Sequence, residues 1–164
     1  MKRGLFKPDP DNSNSLIYHA GGLLIDDPGL EGVANATSTM MIKGTKTRTA
    51  QDIAKAVESL GAGLVTQCGN NTHFSKANCL KEDWQTVMEL LADVTLNPMF
   101  PADEWSNMQR RLVAAIERQS DTWDGELGLR FREAMFKGHP WQTRPIGRAE
   151  VVAALKPDNL IAFH

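Results

Sequence analysis

The 164 residues are 41% hydrophobic, 7% aromatic and 23% charged, the composition of a soluble globular unit that can bury a core without disulfides or metals. Lys and Arg number 18 against 20 Asp and Glu, so the net charge of −2 leaves no basic excess for a polyanion. No apolar run is long enough to cross a membrane, and the basic start at Lys2 and Arg3 lacks the apolar stretch of a secretion signal, leaving a cytoplasmic or a periplasmic setting open.

Residues 1–14 contain the breakers Pro8, Pro10, Asn12 and Asn14 and read as an extended lead-in and turn. Residues 15–20 are β-prone, and Gly21 and Gly22 break that strand before a short extension at Leu23, Leu24 and Ile25. Asp26, Asp27, Pro28 and Gly29 form a turn by composition. From Leu30 the apolar period changes. Leu30, Val33, Ala34, Thr37, Met40 and Met41 recur three and four residues apart, the stripe of an amphipathic helix that stops at Lys43 and Gly44.

Thr49, with Asp52 three residues on, is a close relative of the capping box and starts a second helix along Ile53, Ala56, Val57 and Leu60, closed by Gly61. Residues 64–69 and 73–80 flank Asn70, Asn71 and Thr72 as a hairpin. Trp84, Val87, Met88, Leu91 and Val94 mark a third helix, acidic at its start and ended by Asn97 and Pro98. Pro101 sits at the opening of a long helix over about 102–121, and another follows over about 125–136. Residues 141–147 read as irregular and 149–155 as a short helix. Pro157 opens a last one, with apolar Leu160, Ile161 and Phe163, still running at His164. That last helix implies a chain cut within a longer unit, 1–164 being the N-terminal portion of one domain. The order strand, two helices, two strands, then helices predicts an α+β fold, with helices packed on one face of a mainly antiparallel sheet.

The chemistry-bearing residues are sparse. His19, His73, His139 and His164 show no helical spacing and read as structural or surface groups. A two-residue turn at 70 and 71 does not bring Cys68 opposite Cys79, so both read as buried free thiols. Met40, Met41 and Trp84 read as core. Arg110, Arg111, Arg130 and Arg132 read as solvated or interdomain faces, while Arg144 and Arg148 are candidates for a peptide or partner carboxylate.

The stretch 32–45, closing in Lys43-Gly44-Thr45, resembles the M16 zinc metallopeptidases, the family of insulin-degrading enzyme, pitrilysin and mitochondrial processing peptidase. The likeness continues through Gly21-Gly22 and the Asp-Pro-Gly turn, Thr45 to Ala50, Glu58 to Ala62, Leu96 to Pro101 and Gly138 to Trp141 with Pro145-Ile146-Gly147. Active members carry an inverted zinc motif, H-x-x-E-H, on this helix; two imidazoles bind zinc and the glutamate activates its water. The resemblance places Asn35, Ser38 and Thr39 at those three positions. The downstream glutamate ligand falls on Ala114 or Ala115, with Glu117 two positions off and turned away. The Asn-Ala pair of the family's substrate-edge strand falls near Val65 and Thr66. No histidine has the local spacing to activate Ser38 as a nucleophile.

The resemblance therefore implies a LuxS/processing-peptidase-like fold with no catalytic residues and no metal in this chain, an inactive homologue of a peptidase. Its expected role is a non-catalytic unit that pairs with a zinc-bearing half, in cis or in trans, or with a second copy, to enclose an unfolded peptide. A structural subunit with no link to proteolysis and an enzyme with unconventional ligands are the alternatives; neither nucleic acid nor a membrane span is expected.

Overall fold

The computed structural model describes residues 13–119 and 121–164, so the lead-in read at 1–12 lies outside the described residues. Its strands are β1 (Ser13–Ala20), β2 (Gly63–Cys68) and β3 (Thr72–Cys79). Its helices are α1 (Val33–Met40), α2 (Ala50–Ser59), α3 (Trp84–Leu96), α4 (Ala102–Arg118), α5 (Trp123–Met135), α6 (Ala149–Ala154) and α7 (Pro157–Phe163). The strands form one antiparallel sheet in the order β1-β3-β2. Along β3, Ser75, Ala77 and Cys79 are buried while Lys76 and Asn78 between them are exposed. That period-two alternation leaves one face to solvent and covers the other with helices, as the α+β reading expects.

The inner face packs Ala77, Cys79 and Leu64 against Val87 and Leu91 of α3, and α2 closes over Leu90 and Val94 of α3 with its Ile53. The larger core lies beyond α1. There Val33, Ala36, Met40 and Met41 meet Phe100, from the joint before α4, and Trp105, Val152, Leu155 and Leu160 from the later helical segments. Helix α1 thus runs between the sheet and the helical layer, and six of its eight residues are buried. Met40 and Met41 are core as read, whereas Trp84 is half-buried at the core's margin.

Several elements differ from the sequence reading for identifiable reasons. The extension at Leu23 to Ile25 is a 3-10 turn, because Leu23 and Leu24 donate to the carbonyls of Gly69 and Asn70 and curl over the hairpin tip. The helix read from Leu30 begins at Val33, since Gly32 is left-handed at φ 99°. The long helix ends at Arg118, and α5 starts two residues earlier than Gly125. Pro140–Gln142, overlapping the start of the segment 141–147 read as irregular, form a 3-10 turn whose Trp141 N–H donates to His139 Nδ1. The capping box at Thr49 and Asp52 is present as read. The last helix extends its hydrogen bonding through the His164 N–H to the Leu160 carbonyl.

Two of the motifs that carry the family resemblance touch. Asp93 on α3 accepts from Thr45 Oγ1 at 2.7 Å, Thr47 Oγ1 at 3.1 Å and Arg48, while Asn97 Nδ2 donates to its other oxygen at 3.3 Å. Burial opposes the charge, but these four donors outweigh it and hold the carboxyl below its ordinary range. Met99 N–H donates to the Gly44 carbonyl, so the Lys-Gly-Thr corner and the Asn-Pro joint form one clasp. Within that joint Phe100 takes a left-handed conformation at φ 49°, a strained state for a residue with a side chain, and its ring is buried in the core.

At the other end of α1, Gly32 and Gly147 lie backbone to backbone. A Cβ on Gly32 would stand 2.7 Å from the Ile146 carbonyl oxygen, and one on Gly147 would stand 2.8 Å from Gly32 Cα. Gly138 also has positive φ but faces open space. Gly147→Ala should therefore cost about 3 kcal/mol or more, and Gly138→Ala only about 1 kcal/mol. Urea unfolding of the two variants measures the difference.

Candidate functional site

The start of α1 is fixed by a side chain well before it. Asp26 Oδ2 accepts from the Gly32 N–H at 2.7 Å and Oδ1 from the Ala34 N–H at 3.1 Å, satisfying amides that a helix leaves unpaired. Burial nevertheless dominates its ionisation: the carboxyl is pushed up from its ordinary 3.8 to about 6, with Glu31 and Asp27 adding in the same direction against the two amides.

Of the degenerate motif positions, Ser38 is buried and its hydroxyl donates to the Ala34 carbonyl at 2.8 Å. Thr39 Oγ1 donates in the same manner to the Asn35 carbonyl at 2.8 Å. Both hydroxyls are thus spent inside the helix, on the i−4 pattern open to Ser and Thr. Thr66, at the position matched to the substrate-edge strand, is buried and donates to the Ser38 carbonyl at 2.5 Å, tying β2 to α1. Ala114 is half-buried and Ala115 exposed on α4, and neither carries a donor atom; Glu117 is exposed.

Asn35 is half-buried and opens onto a groove of about 520 Å³ with Gln119, Asp124, Arg132 and Arg144. An adjoining cleft of about 560 Å³ runs between α4, α5 and the loop before α6, with Glu31, Glu117, Glu133 and Arg148 on its walls. The arginines read as carboxylate receptors are engaged within the chain. Arg144 donates to Gln119 Oε1 and to the Gly125 carbonyl, and Arg148 pairs with Glu31 at 3.0 Å. Arg132 donates to the Trp141 carbonyl at 3.1 Å.

The structure brings together histidines that sequence spacing keeps apart. His19 and His73 are directly paired across β1 and β3, their rings 5.6 Å apart, and His164 reaches the same cavity of about 310 Å³. His164 Nε2 is 2.9 Å from the Thr95 carbonyl. His73 Nε2 and the hydroxyls of Thr37 and Thr95 are buried and have no hydrogen-bond partner among the described residues. Burial first, and then His19 and His164, lower the His73 imidazole from 6.5 to about 4. Pairing of β1 with β3 was the missing signal, since no local spacing encodes it.

Cys68 pairs in register with His73, so Cys68 and Cys79 are free as read. Cys79 is buried but Cys68 only half-buried, a correction to the reading of two buried thiols. Burial, then Asp26, pushes the Cys68 thiol up to about 12, which makes it a poor nucleophile. Among the described residues no three His, Cys, Asp or Glu side chains are grouped to hold a metal ion. Among them, too, no helix is long and apolar enough to cross a membrane.

Residues 7–146 match the family model of insulinase, peptidase family M16, and the chain belongs to that family. It is 31% identical over 133 residues to the uncharacterized zinc protease ML0855 of Mycobacterium leprae, covering 81% of this chain and 30% of that protein. An uncharacterized zinc protease of Rickettsia bellii is 26% identical over 142 residues, 87% of this chain and 34% of that protein. The chain thus spans about a third of the length of the curated relatives it matches. Among solved structures, the peptidase M16 inactive domain from Pseudomonas fluorescens superposes with a TM-score of 0.88 at 24% identity, over 94% of this chain and 38% of that one. The periplasmic protease PqqL of Escherichia coli superposes with a TM-score of 0.83 at 20% identity, over 93% of this chain and 18% of that one.

The shifts of Asp26 and His73 act on stability in opposite directions along the pH axis. Asp26 holds its proton more tightly when folded, so its contribution to stability is lost as pH rises from 3.8 to about 6. His73 holds its proton less tightly when folded, so its contribution is lost as pH falls from 6.5 to about 4. Relative to the parent, His73→Gln should lose the acid-side penalty and Asp26→Asn the opposite slope, measured as Tm across pH 4–7. Asp26→Ala, which removes both acceptors, should cost about 1–2 kcal/mol at pH 7.

Proposed function

We propose that this chain is a non-catalytic unit of an M16-type peptidase, paired in cis or in trans with a zinc-bearing half to enclose an unfolded peptide. The observation that carries the reading is the fate of the motif helix. At Asn35, Ser38, Thr39 and Ala115 the family's ligand positions offer one neutral amide, two hydroxyls already bonded to backbone carbonyls and one methyl group. That donor set does not fit zinc, which takes thiolate, imidazole or carboxylate. We therefore derive no metal-dependent step for this chain and assign the metal to its partner. The relatives' zinc protease names, and the solved neighbour described as an inactive domain, support both halves of this reading.

What the chain contributes is a wall. The groove beside Asn35 is open and mixed in character, with Gln119, Thr122, Asp124 and Arg132 beside the apolar Pro145 and Ile146, a lining that suits an extended peptide rather than one rigid ligand. Arg144 and Arg148 act as braces for that wall, since their guanidinium groups are engaged within the chain.

The purified chain should carry well under one zinc per chain by elemental analysis and should cleave no peptide. Mixed with a zinc-bearing M16 half, it should form a complex that cleaves unfolded peptides and stops on addition of a chelator. Asn35→Trp, which blocks the groove, should raise the complex's KM about tenfold while its zinc content stays unchanged. One tightly bound zinc per chain, together with chelator-sensitive cleavage by the chain alone, overturns the reading.

A further inference from the structure

Helix α5 is amphipathic with the wrong face outward. Trp123, Leu127, Phe131 and Met135, four residues apart, form one ridge and are 81%, 61%, 56% and 64% exposed. Glu126 and Glu133 flank the ridge, ion-paired to the exposed Arg130, while Leu129 and Arg132 are half-buried on the inner side and no residue of the helix is fully buried. This orientation is fixed from beneath. Arg144 donates to the Gly125 carbonyl, Arg132 donates to the Trp141 carbonyl, and a Cβ on Gly125 would strike the Gln119 carbonyl oxygen. The ridge continues through edge-on ring contacts from Phe131 to Phe136 and from Phe136 to Trp141.

At these exposures the four side chains leave roughly 500 Å² of apolar surface on one helix, near the upper limit for the largest patch on a monomer. Two such faces together bury about 1,000 Å², the smallest total area at which a specific interface holds. The charges around the ridge select its partner. Asp121 and Asp124 lie at the N-terminal end of α5 and Lys137 just past its C-terminal end; all three are exposed, and among the described residues none has an ion pair. An antiparallel copy sets acid against base at both ends and opposes the two helix dipoles, whereas a parallel copy sets like against like.

We infer that the α5 ridge is an isologous interface, on which a second copy of this chain packs its own α5 antiparallel about a twofold axis. A ridge of residues four apart is also the kind that seats in the groove of a like helix. The small area makes the pairing weak, with Kd in the micromolar range. This inference is independent of the proposed role in a peptidase.

Sedimentation velocity of the protein from about 1 to 100 μM tests it. We expect a reversible monomer–dimer equilibrium. Leu127→Lys or Phe131→Glu should weaken dimerisation at least tenfold, and Leu127→Lys, which leaves the Phe131–Phe136 ring contact in place, should keep Tm within about 2 °C of the parent. Lys137→Glu alone should weaken it about threefold, and Lys137→Glu combined with Asp121→Lys and Asp124→Lys should restore it. A strict monomer at 100 μM overturns the inference, as does a dimer indifferent to Phe131→Glu. A ridge that binds an amphipathic peptide or a lipid vesicle but not its own copy overturns it too, and a triple variant no tighter than Lys137→Glu alone overturns the antiparallel arrangement.

Discussion

The seating of α1 is the constraint on which the rest of the structure depends. This eight-residue helix lies between sheet and helical layer, too short to hold its shape by propensity alone. It is held at both ends and along its length. The Asp26 carboxylate closes its first amides, the Thr45–Asp93 clasp pins the corner beyond its last turn, and Thr66 bonds the Ser38 carbonyl from the sheet. The surrounding core then packs against a fixed object, with small Ala34 and Ala36 allowing its neighbours to approach.

Much of this was legible in the sequence, wherever the signal is local. The Thr49 capping box runs only from Thr49 to Asp52 and the hairpin turn spans two residues, and both form where the chain says they will. The helical stripes and the sheet's period-two pattern were likewise readable to within a few residues at the ends. What could not be read is contact between distant segments. Asp26 caps a helix six and eight residues away, beyond the range of any capping motif. His19 and His73 are 54 positions apart and meet only because β1 pairs with β3. Leu23 to Ile25 reads as extended because nothing local announces the carbonyls of the hairpin tip.

The family's recurring motifs acquire a physical meaning here that is separate from catalysis. The Lys43-Gly44-Thr45 corner is held to the Asn97-Pro98 joint by the Met99 N–H to the Gly44 carbonyl and the Lys46 N–H to the Asn97 carbonyl, and the left-handed Phe100 between two prolines buries its ring in the core beside Trp105. Gly32 and the Pro145-Ile146-Gly147 segment are likewise joined, backbone against backbone. None of these contacts uses the positions that differ from the zinc motif. The scaffold and the ligand set are therefore separable, and the side chains at 38 and 39 satisfy themselves on the helix instead of leaving dangling hydroxyls.

The glycine-to-glycine contact also has a mechanical side. Where two main chains meet with no side chain between them, there is no rotamer to give way and no soft layer to absorb a shift. The loop bearing Ile146 and Gly147, which walls both grooves, is in effect geared to the first turn of α1. Anything that wedges into either groove and pushes on that loop acts directly on the helix, and through the Ser38 carbonyl on the sheet's edge strand.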